Sequence, residues 1–173
     1  MSIRVVVPPD RLEEAVTAGA LRRVDAIINQ RPDTYAVLRP DSKPRWQENI
    51  TAAVAEMAVC ILYGFTFSGV VRNATALQIA RLRDAGPLEV RTLASETHHL
   101  LAYSKDAPHQ KIVASYVRDN EVLLLGWATA QEIRTYGKRV VGMQHGLPCD
   151  ELNDMTDIGF DPIPSASWNY SND

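Results

Sequence analysis

The chain has 173 residues, 46% of them apolar, and a net charge of −3, which suits one folded domain. It has no apolar run of the roughly 20 residues needed to span a bilayer, and its N-terminus lacks the apolar block of a secretory signal. The negative charge argues against a purely electrostatic nucleic-acid binder, but not against an enzyme that meets DNA through a local basic rim. Cys60 and Cys149 lack a metal-type spacing, so we expect reduced thiols in a cytosol-like compartment.

The N-terminal part of the chain predicts a strand and then a helix. A β-branched run over 3–7 stops at two prolines, and an amphipathic helix over 9–30 follows, to which we assign a supporting role. Its apolar stripe is expected to face a core and comprises Leu12, Val16, Ala20, Val24, Ile27 and Ile28. Its charged residues are expected mostly to face water, and they are Glu13, Glu14, Arg22, Arg23 and Asp25.

A second helix is predicted from Pro44 to Gly64, after a polar loop over 30–43. Its apolar stripe is Trp46, Ile50, Ala53, Val54, Met57 and Ile61. Glu56 lies at the edge of this stripe, where a carboxylate needs a partner because burial of an unpaired charge is costly. It is therefore either an acid of a metal site, a boundary residue that reaches water, or half of a core ion pair.

The C-terminal half of the chain predicts mainly strands. The segment 121–127 is almost continuously apolar, which is typical of a central strand covered on both faces. Other strands are expected over 99–103, 111–117 and 139–143. Thr129 and Glu132 form a capping-box pattern that starts a short helix, and Gly137 ends it. A further turn of helix is expected within 147–155.

These elements predict an α/β fold with a mixed central sheet of about four to five strands flanked by helices. Residues 1–160 are expected to form one domain. The polar segment 161–173 is predicted to be a loose tail, although Trp168 and Tyr170 could dock on the domain.

The segment 84–92 carries the most suggestive chemistry. Residues two apart in a strand share a face, so Glu89 and Arg91 point one way and Val90 the other. Asp84 lies just across the turn at 85–87, close enough to join them. Two carboxylates and a cation at a strand edge suit a divalent ion such as Mg²⁺ beside a phosphate. The alternative is a solvated hairpin with a weak surface ion pair.

Two neighbouring features bear on this segment. Residues 65–83 fit either a short helix from Asn73 or an irregular segment that delivers Asp84. The local basic residues, which could form a rim for DNA, are Arg72, Arg81, Arg83 and Arg91. Histidine-based zinc binding is disfavoured, because His98 and His99 would face opposite ways on a strand.

The order of these features resembles a group of small tailed-phage proteins of the PD-(D/E)xK nuclease superfamily. The resemblance rests on a helix with an acid after small residues (52–59), then Asp84, then Glu89-Val90-Arg91, then a strand ending in Leu-Gly-Trp over 125–127. It extends from about Val5 to Met155.

This resemblance implies a restriction-endonuclease-like fold and Mg²⁺-dependent hydrolysis of DNA, with Mn²⁺ as a substitute ion. Asp84 and Glu89 would be metal ligands, Glu56 an accessory catalytic acid, and Arg91 would replace the lysine of the pattern. Arginine stays protonated and cannot act as a base, but it can hold a phosphate. The Asp84–Glu89 spacing is also short, and Pro87 lies within it.

Three hypotheses follow. The chain is a metal-dependent DNA nuclease, located in the host cytoplasm if it is phage-encoded. Alternatively, it is an inactive module of the same fold that binds DNA or a phage protein, or a purely structural α/β domain. The sequence predicts no membrane association and leaves the oligomeric state open.

Overall fold

The computed structural model describes residues 2–29, 45–69, 85–140, 144–164 and 168–171. The strands in these ranges are β1 (Ser2–Val6), β2 (Glu89–Thr92), β3 (His99–Ala102), β4 (Lys111–Arg118), β5 (Glu121–Thr129), β6 (Lys138–Arg139), β7 (His145–Pro148) and β8 (Trp168–Ser171). The α-helices are α1 (Pro9–Ile28), α2 (Arg45–Tyr63) and α3 (Ala130–Tyr136), and short 3-10 turns span Cys149–Glu151 and Met155–Asp157. The predicted loop at 30–43, the segment 70–84 with Asp84, and residues 141–143 lie outside the described ranges.

The main sheet has five strands in the order β2-β4-β5-β1-β8. β2 runs parallel to β4, and the other neighbours are antiparallel, so the sheet is mixed. β5 lies in the middle, as its apolar composition predicts. The α/β class and the mixed five-stranded sheet are thus confirmed. A second, antiparallel sheet with the order β3-β7-β6 was not predicted as a separate unit.

Each face of the main sheet contributes to a different apolar cluster. Ile3, Val122 and Leu124 are buried with α1 and α2 in the larger cluster. Ile112 and Ala114 are buried with β3, β7 and α3 in a smaller one. The small sheet and α3 therefore cover part of the face that the two long helices leave open.

Helix α2 begins and ends within one residue of its predicted bounds, and Gly64 follows it with φ +68°, a backbone conformation that favours glycine. Every residue from 53 to 60 is buried, because the helix lies between α1 and the sheet. Trp46, which we expected in the core stripe, is 42% exposed near the start of the helix.

Helix α1 turns a different face to the core from the one its sequence predicts. Its buried residues are Ala15, Ala18, Gly19 and Asp25. Val16, Ile27 and Ile28 of the expected stripe are 36%, 52% and 72% exposed. The reason is close packing of α1 against α2: a Cβ on Gly19 would lie 2.6 Å from the carbonyl oxygen of Asn49. Small residues permit this approach. The predicted apolar stripe is therefore wrong at Val16, Ile27 and Ile28, whereas Leu12 packs against the core as predicted.

Residues 168–171 of the predicted loose tail form β8, which pairs with β1 in the register Val5↔Trp168. The Trp168 indole N–H donates to the carbonyl of Ile163 at 2.6 Å, and the Ile163 N–H donates to the carbonyl of Leu62 at 2.7 Å. This part of the tail is therefore docked, an option that the sequence left open for Trp168.

Helix α3 starts with the predicted capping box. The Thr129 hydroxyl accepts from the Glu132 N–H at 3.1 Å, and the Glu132 carboxylate accepts from the Thr129 N–H at 2.7 Å. The Thr129 hydroxyl also donates to the Glu132 carboxylate at 2.6 Å, and this bond is the main reason that the pKa of Glu132 lies below its ordinary value. None of the helices in the described ranges is both long and apolar enough to cross a membrane.

Replacing Gly19 by alanine tests the close contact between α1 and α2. Alanine favours a helix over glycine by about 1 kcal/mol. At this contact the added methyl would meet the backbone of Asn49 and Ile50, and overpacking of this kind costs about 1–3 kcal/mol. We expect Gly19→Ala to lower the free energy of unfolding in urea. Thr17→Ala, on the exposed side of the same helix, is the matched control and should change it by less than about 0.5 kcal/mol. A Gly19→Ala protein more stable than wild type would contradict the packing.

Candidate functional site

The chain enters β2 through a tight turn at Ala85–Leu88. The Ala85 N–H donates to the Leu88 carbonyl at 3.3 Å, and the Leu88 N–H donates to the Ala85 carbonyl at 3.0 Å. Gly86 has φ +57°, and a Cβ there would lie 2.8 Å from the ring of Phe65. Glycine is thus required at this turn both by backbone conformation and by space. The turn fixes where β2 begins, and therefore where Glu89 lies.

Strand β2 forms an edge of the main sheet and alternates as its sequence predicts. Val90 is 7% exposed in the core that includes α2. Glu89 and Arg91 lie on the opposite face of the strand, with 33% and 10% of their side chains exposed. Arg91 is therefore not part of a solvent-facing basic rim. The other three arginines of that predicted rim lie outside the described ranges.

The Arg91 guanidinium is held from several sides. One Nη donates to the Leu101 carbonyl, and the other donates to Asp106 Oδ2 at 2.8 Å. The second Nη also lies 3.4 Å from Glu89 Oε1, a long contact. The guanidinium carbon sits 4.1 Å from the centre of the Tyr103 ring. The Arg91 guanidinium is thus held by the end of β3 and the loop that follows it. In that position it also contacts Glu89 of its own strand.

That loop is itself clamped by a second arginine. Asp106 Oδ2 also accepts from the Tyr103 N–H at 2.6 Å. Arg134 of α3 donates to the carbonyls of Tyr103 and Asp106 at 2.6 and 2.7 Å. Asp106 was missed by sequence reasoning. The only local signal was a Ser-Lys-Asp turn after a predicted strand, which indicates a turn but not a distant arginine partner.

Glu56 forms the core ion pair that the sequence left as one option. Its two carboxylate oxygens accept from the two Nη atoms of Arg22 at 2.6 Å each, and the residue is 3% exposed. The partner is Arg22, which we expected to face solvent on α1. The sequence therefore did not identify this pair. Burial raises the pKa of Glu56, Arg22 opposes this rise, and the charge of Glu89 adds to it.

The structure therefore brings two of the predicted residues, Glu89 and Arg91, together on one face of β2. Glu56 belongs to α2, which packs with Val90 on the other face, and the charge of Glu89 is the smallest of the causes that shift the pKa of Glu56. Asp84, the fourth, lies outside the described ranges. Within those ranges no group of three or more acids, histidines or cysteines is arranged to hold a metal ion.

Mg²⁺ is commonly held by one or two carboxylates, with waters and substrate phosphates as its other ligands. Glu89 is the member of the described set whose carboxylate reaches solvent, since both oxygens of Glu56 accept from Arg22. The Glu89 carboxylate is of the oxygen type that Mg²⁺ prefers, and Asp84, the second acid that the sequence predicts, lies outside the described ranges.

Cys149 lies in an environment that disfavours the reactive thiolate form of its side chain. Cys149 Sγ donates to the His98 carbonyl at 2.9 Å. Burial raises the pKa of this thiol to about 11, and the charge of Asp150 contributes. The thiol is therefore protonated at neutral pH, whereas metal binding and nucleophilic attack need the thiolate.

Comparison of the chain with protein-family models, with curated proteins and with solved structures finds no match. The PD-(D/E)xK resemblance thus stays a prediction based on the residues quoted for it. The description of the site rests on the geometry around β2 alone.

Proposed function

We propose that the chain is a Mg²⁺-dependent nuclease with a restriction-endonuclease-like fold that hydrolyses phosphodiester bonds in DNA. The observation that carries this proposal is the pairing of Glu89 with Arg91 on one face of an edge strand, where 33% of the Glu89 side chain is exposed. Neither Cys60 nor Cys149 is in a disulfide, which suits a reducing compartment, and the proposed location is the host cytoplasm.

Glu89 is proposed as a metal ligand, with Asp84 as the second. When bound, Mg²⁺ would activate the attacking water and offset charge on the scissile phosphate, and Mn²⁺ would substitute for it. Glu56 would be an accessory acid on the α2 side of the strand, held in its ion pair with Arg22.

Arg91 is proposed as a positioning residue. Its donors are directed at Asp106 and the Leu101 carbonyl, so it is not aimed at a phosphate in solvent. Its contact with Glu89 instead fixes where that carboxylate points. This role differs from the phosphate-holding role expected from the resemblance, and it suits an arginine, which is always charged and donates along several directions.

The second candidate is an inactive module of the same fold that binds DNA or a protein without cleaving. The specific observation that favours it is that Arg91 and Glu56 are both already engaged in ion pairs, with Asp106 and Arg22. In this candidate the charges serve stability, and Glu89 binds no metal.

DNA cleavage and metal binding separate the two candidates. The active nuclease should cut single- or double-stranded DNA with Mg²⁺ or Mn²⁺, stop when EDTA is added, and lose at least about 100-fold in rate in Glu89→Ala. Mn²⁺ should also raise the melting temperature of wild type, because a ligand selective for the folded state stabilises it. Glu121→Ala, an exposed glutamate at the start of β5, is the matched control and should behave as wild type. If no form of DNA is cut and Mn²⁺ has no Glu89-dependent effect, the nuclease is excluded.

The Arg22–Glu56 pair should behave as one unit in a double-mutant cycle. Arg22→Ala leaves a buried carboxylate unpaired and is expected to cost about 3–5 kcal/mol of unfolding free energy. The loss should be smaller near pH 4 and grow as the pH rises, because without Arg22 the raised pKa of Glu56 rises further and the folded state holds its proton more tightly.

Adding Glu56→Ala to Arg22→Ala should recover part of the lost stability. Urea unfolding at several pH values measures these free energies. Additive losses at all pH values would show that the two side chains do not interact.

The positioning role of Arg91 is tested against Arg134, which clamps the same loop without touching Glu89. Lysine at either position keeps the charge but loses the forked donors. Both Arg91→Lys and Arg134→Lys should lower stability. Only Arg91→Lys should also weaken the binding of Mn²⁺, by about tenfold. Mn²⁺ affinity is measured by calorimetric titration. Equal affinities in the two variants would show that Arg91 has only a structural role.

A further inference from the structure

The stretch of sequence that covers the end of α3 and the strand β6 lacks acidic residues. Residues 133–149 contain no aspartate or glutamate, although the chain as a whole carries a net charge of −3. The following segment, 150–161, contains five acids. Negative charge is thus absent from one stretch and concentrated in the next. A polyanion would be attracted to the first stretch and repelled by the second.

The side chains that this stretch presents are an aromatic ring and two cations. Tyr136, the last residue of α3, is 71% exposed. Lys138 and Arg139 follow on β6, and both are exposed. Lys138 has no ion-pair partner in the part of the chain that the structure describes. We refer to Tyr136, Lys138 and Arg139 as the Tyr136 surface.

The Tyr136 surface lies at an open edge. β6 is the last strand in the order β3-β7-β6, so one of its sides is unpaired within the described ranges. Gly137 joins α3 to β6 in an extended conformation, with φ −70° and ψ 153°. Tyr136 is therefore separated by one residue from an edge strand that carries two positive charges.

We propose that the Tyr136 surface binds a single strand of DNA, with Tyr136 stacked on a base and the two cations on phosphates. Any base can stack on an exposed aromatic ring, and a cationic groove follows the backbone of a single strand. In a duplex the faces of the bases are covered by their neighbours in the stack, so an exposed tyrosine ring has no base face to stack on. The combination of ring and cations, with acids excluded, is what selects a single strand over a protein partner.

The surface connects to the candidate site through a short series of contacts. Arg134, two residues before Tyr136, donates to the carbonyl of Asp106, and the Asp106 carboxylate holds Arg91 beside Glu89. A strand bound at the Tyr136 surface would thus be attached to the element that positions Glu89. The choice of DNA as the polymer rests on the proposed function. The binding itself does not require catalysis.

Binding is measured by fluorescence anisotropy in EDTA, with labelled single-stranded DNA of about twelve nucleotides, within the usual range of single-strand site sizes. Tyr136→Ala should weaken binding about 5- to 150-fold, the range seen when one stacking residue is removed. An abasic strand of equal length should bind wild type and Tyr136→Ala equally, since it offers no base to stack. Lys138→Gln should lower the slope of log affinity against log salt by about 0.7.

The matched control is Arg118→Gln, an exposed arginine at the end of β4. It should change the affinity by less than about twofold, because it lies outside the surface. Melting temperatures verify folding in each variant, and the exposure of Tyr136 means that its removal should leave them unchanged. Equal losses in Tyr136→Ala and Arg118→Gln, or tighter binding of duplex than of single strand, would overturn the proposal.

The outcome is separable from that of the proposed nuclease. Tyr136-dependent binding, with no cleavage and no Glu89-dependent effect of Mn²⁺, would support the surface and exclude the nuclease. Cleavage that Glu89→Ala abolishes, with binding unaffected by Tyr136→Ala, would support the nuclease and overturn the surface. Absence of any single-strand binding by wild type would overturn the surface whatever the cleavage assay shows.

Discussion

The candidate site depends on one buried contact, the hydrogen-bonded ion pair between Arg91 and Asp106, at 2.8 Å. Arg91 belongs to the edge strand of the main sheet, and Asp106 to the loop that follows β3. The pair therefore joins the two sheets beside Glu89. Neither charge is more than 10% exposed, so each would be costly to bury alone and the two elements are held in one arrangement. The orientation of Glu89 follows from that arrangement.

A second buried pair, Arg22 with Glu56, performs a similar task between the two long helices. Both Nη atoms of Arg22 donate to Glu56, whereas Arg91 donates to Asp106 through one Nη and to the Leu101 carbonyl through the other. The Arg91–Asp106 pair fixes charge beside Glu89 before any ligand arrives, and the Arg22–Glu56 pair fixes charge in the core on the other face of β2. Preorganised charge of this kind favours a bound cation and a phosphate without further rearrangement. The same fixed charges would also stabilise an inactive fold, so the function depends on whether Glu89 binds a metal.

Most of the fold could be predicted from local sequence signals, whereas the partners in the site could not. Prolines, Gly64 and the Thr129–Glu132 capping box mark element ends, and the apolar run of β5 indicates a central strand. These signals are local. The prediction of which face of α1 is buried was wrong at several positions, because close contact between Gly19 and α2 outweighs the apolar stripe. Likewise Asp106 and Arg22 are polar residues in ordinary surface patterns, and only the tertiary fold shows that each is half of a buried pair.

The most direct measurement of the central claim is the pKa of Glu56, followed by carbon-detected NMR with and without Mg²⁺. The account places Glu56 and Glu89 in one electrostatic environment and the cation at Glu89. It predicts that the pKa of Glu56 falls when Mg²⁺ is added. It also predicts a fall in Glu89→Gln, because a repelling charge is removed, and no further effect of Mg²⁺ in that variant. A Glu56 titration that responds neither to Mg²⁺ nor to the loss of the Glu89 charge would contradict the account.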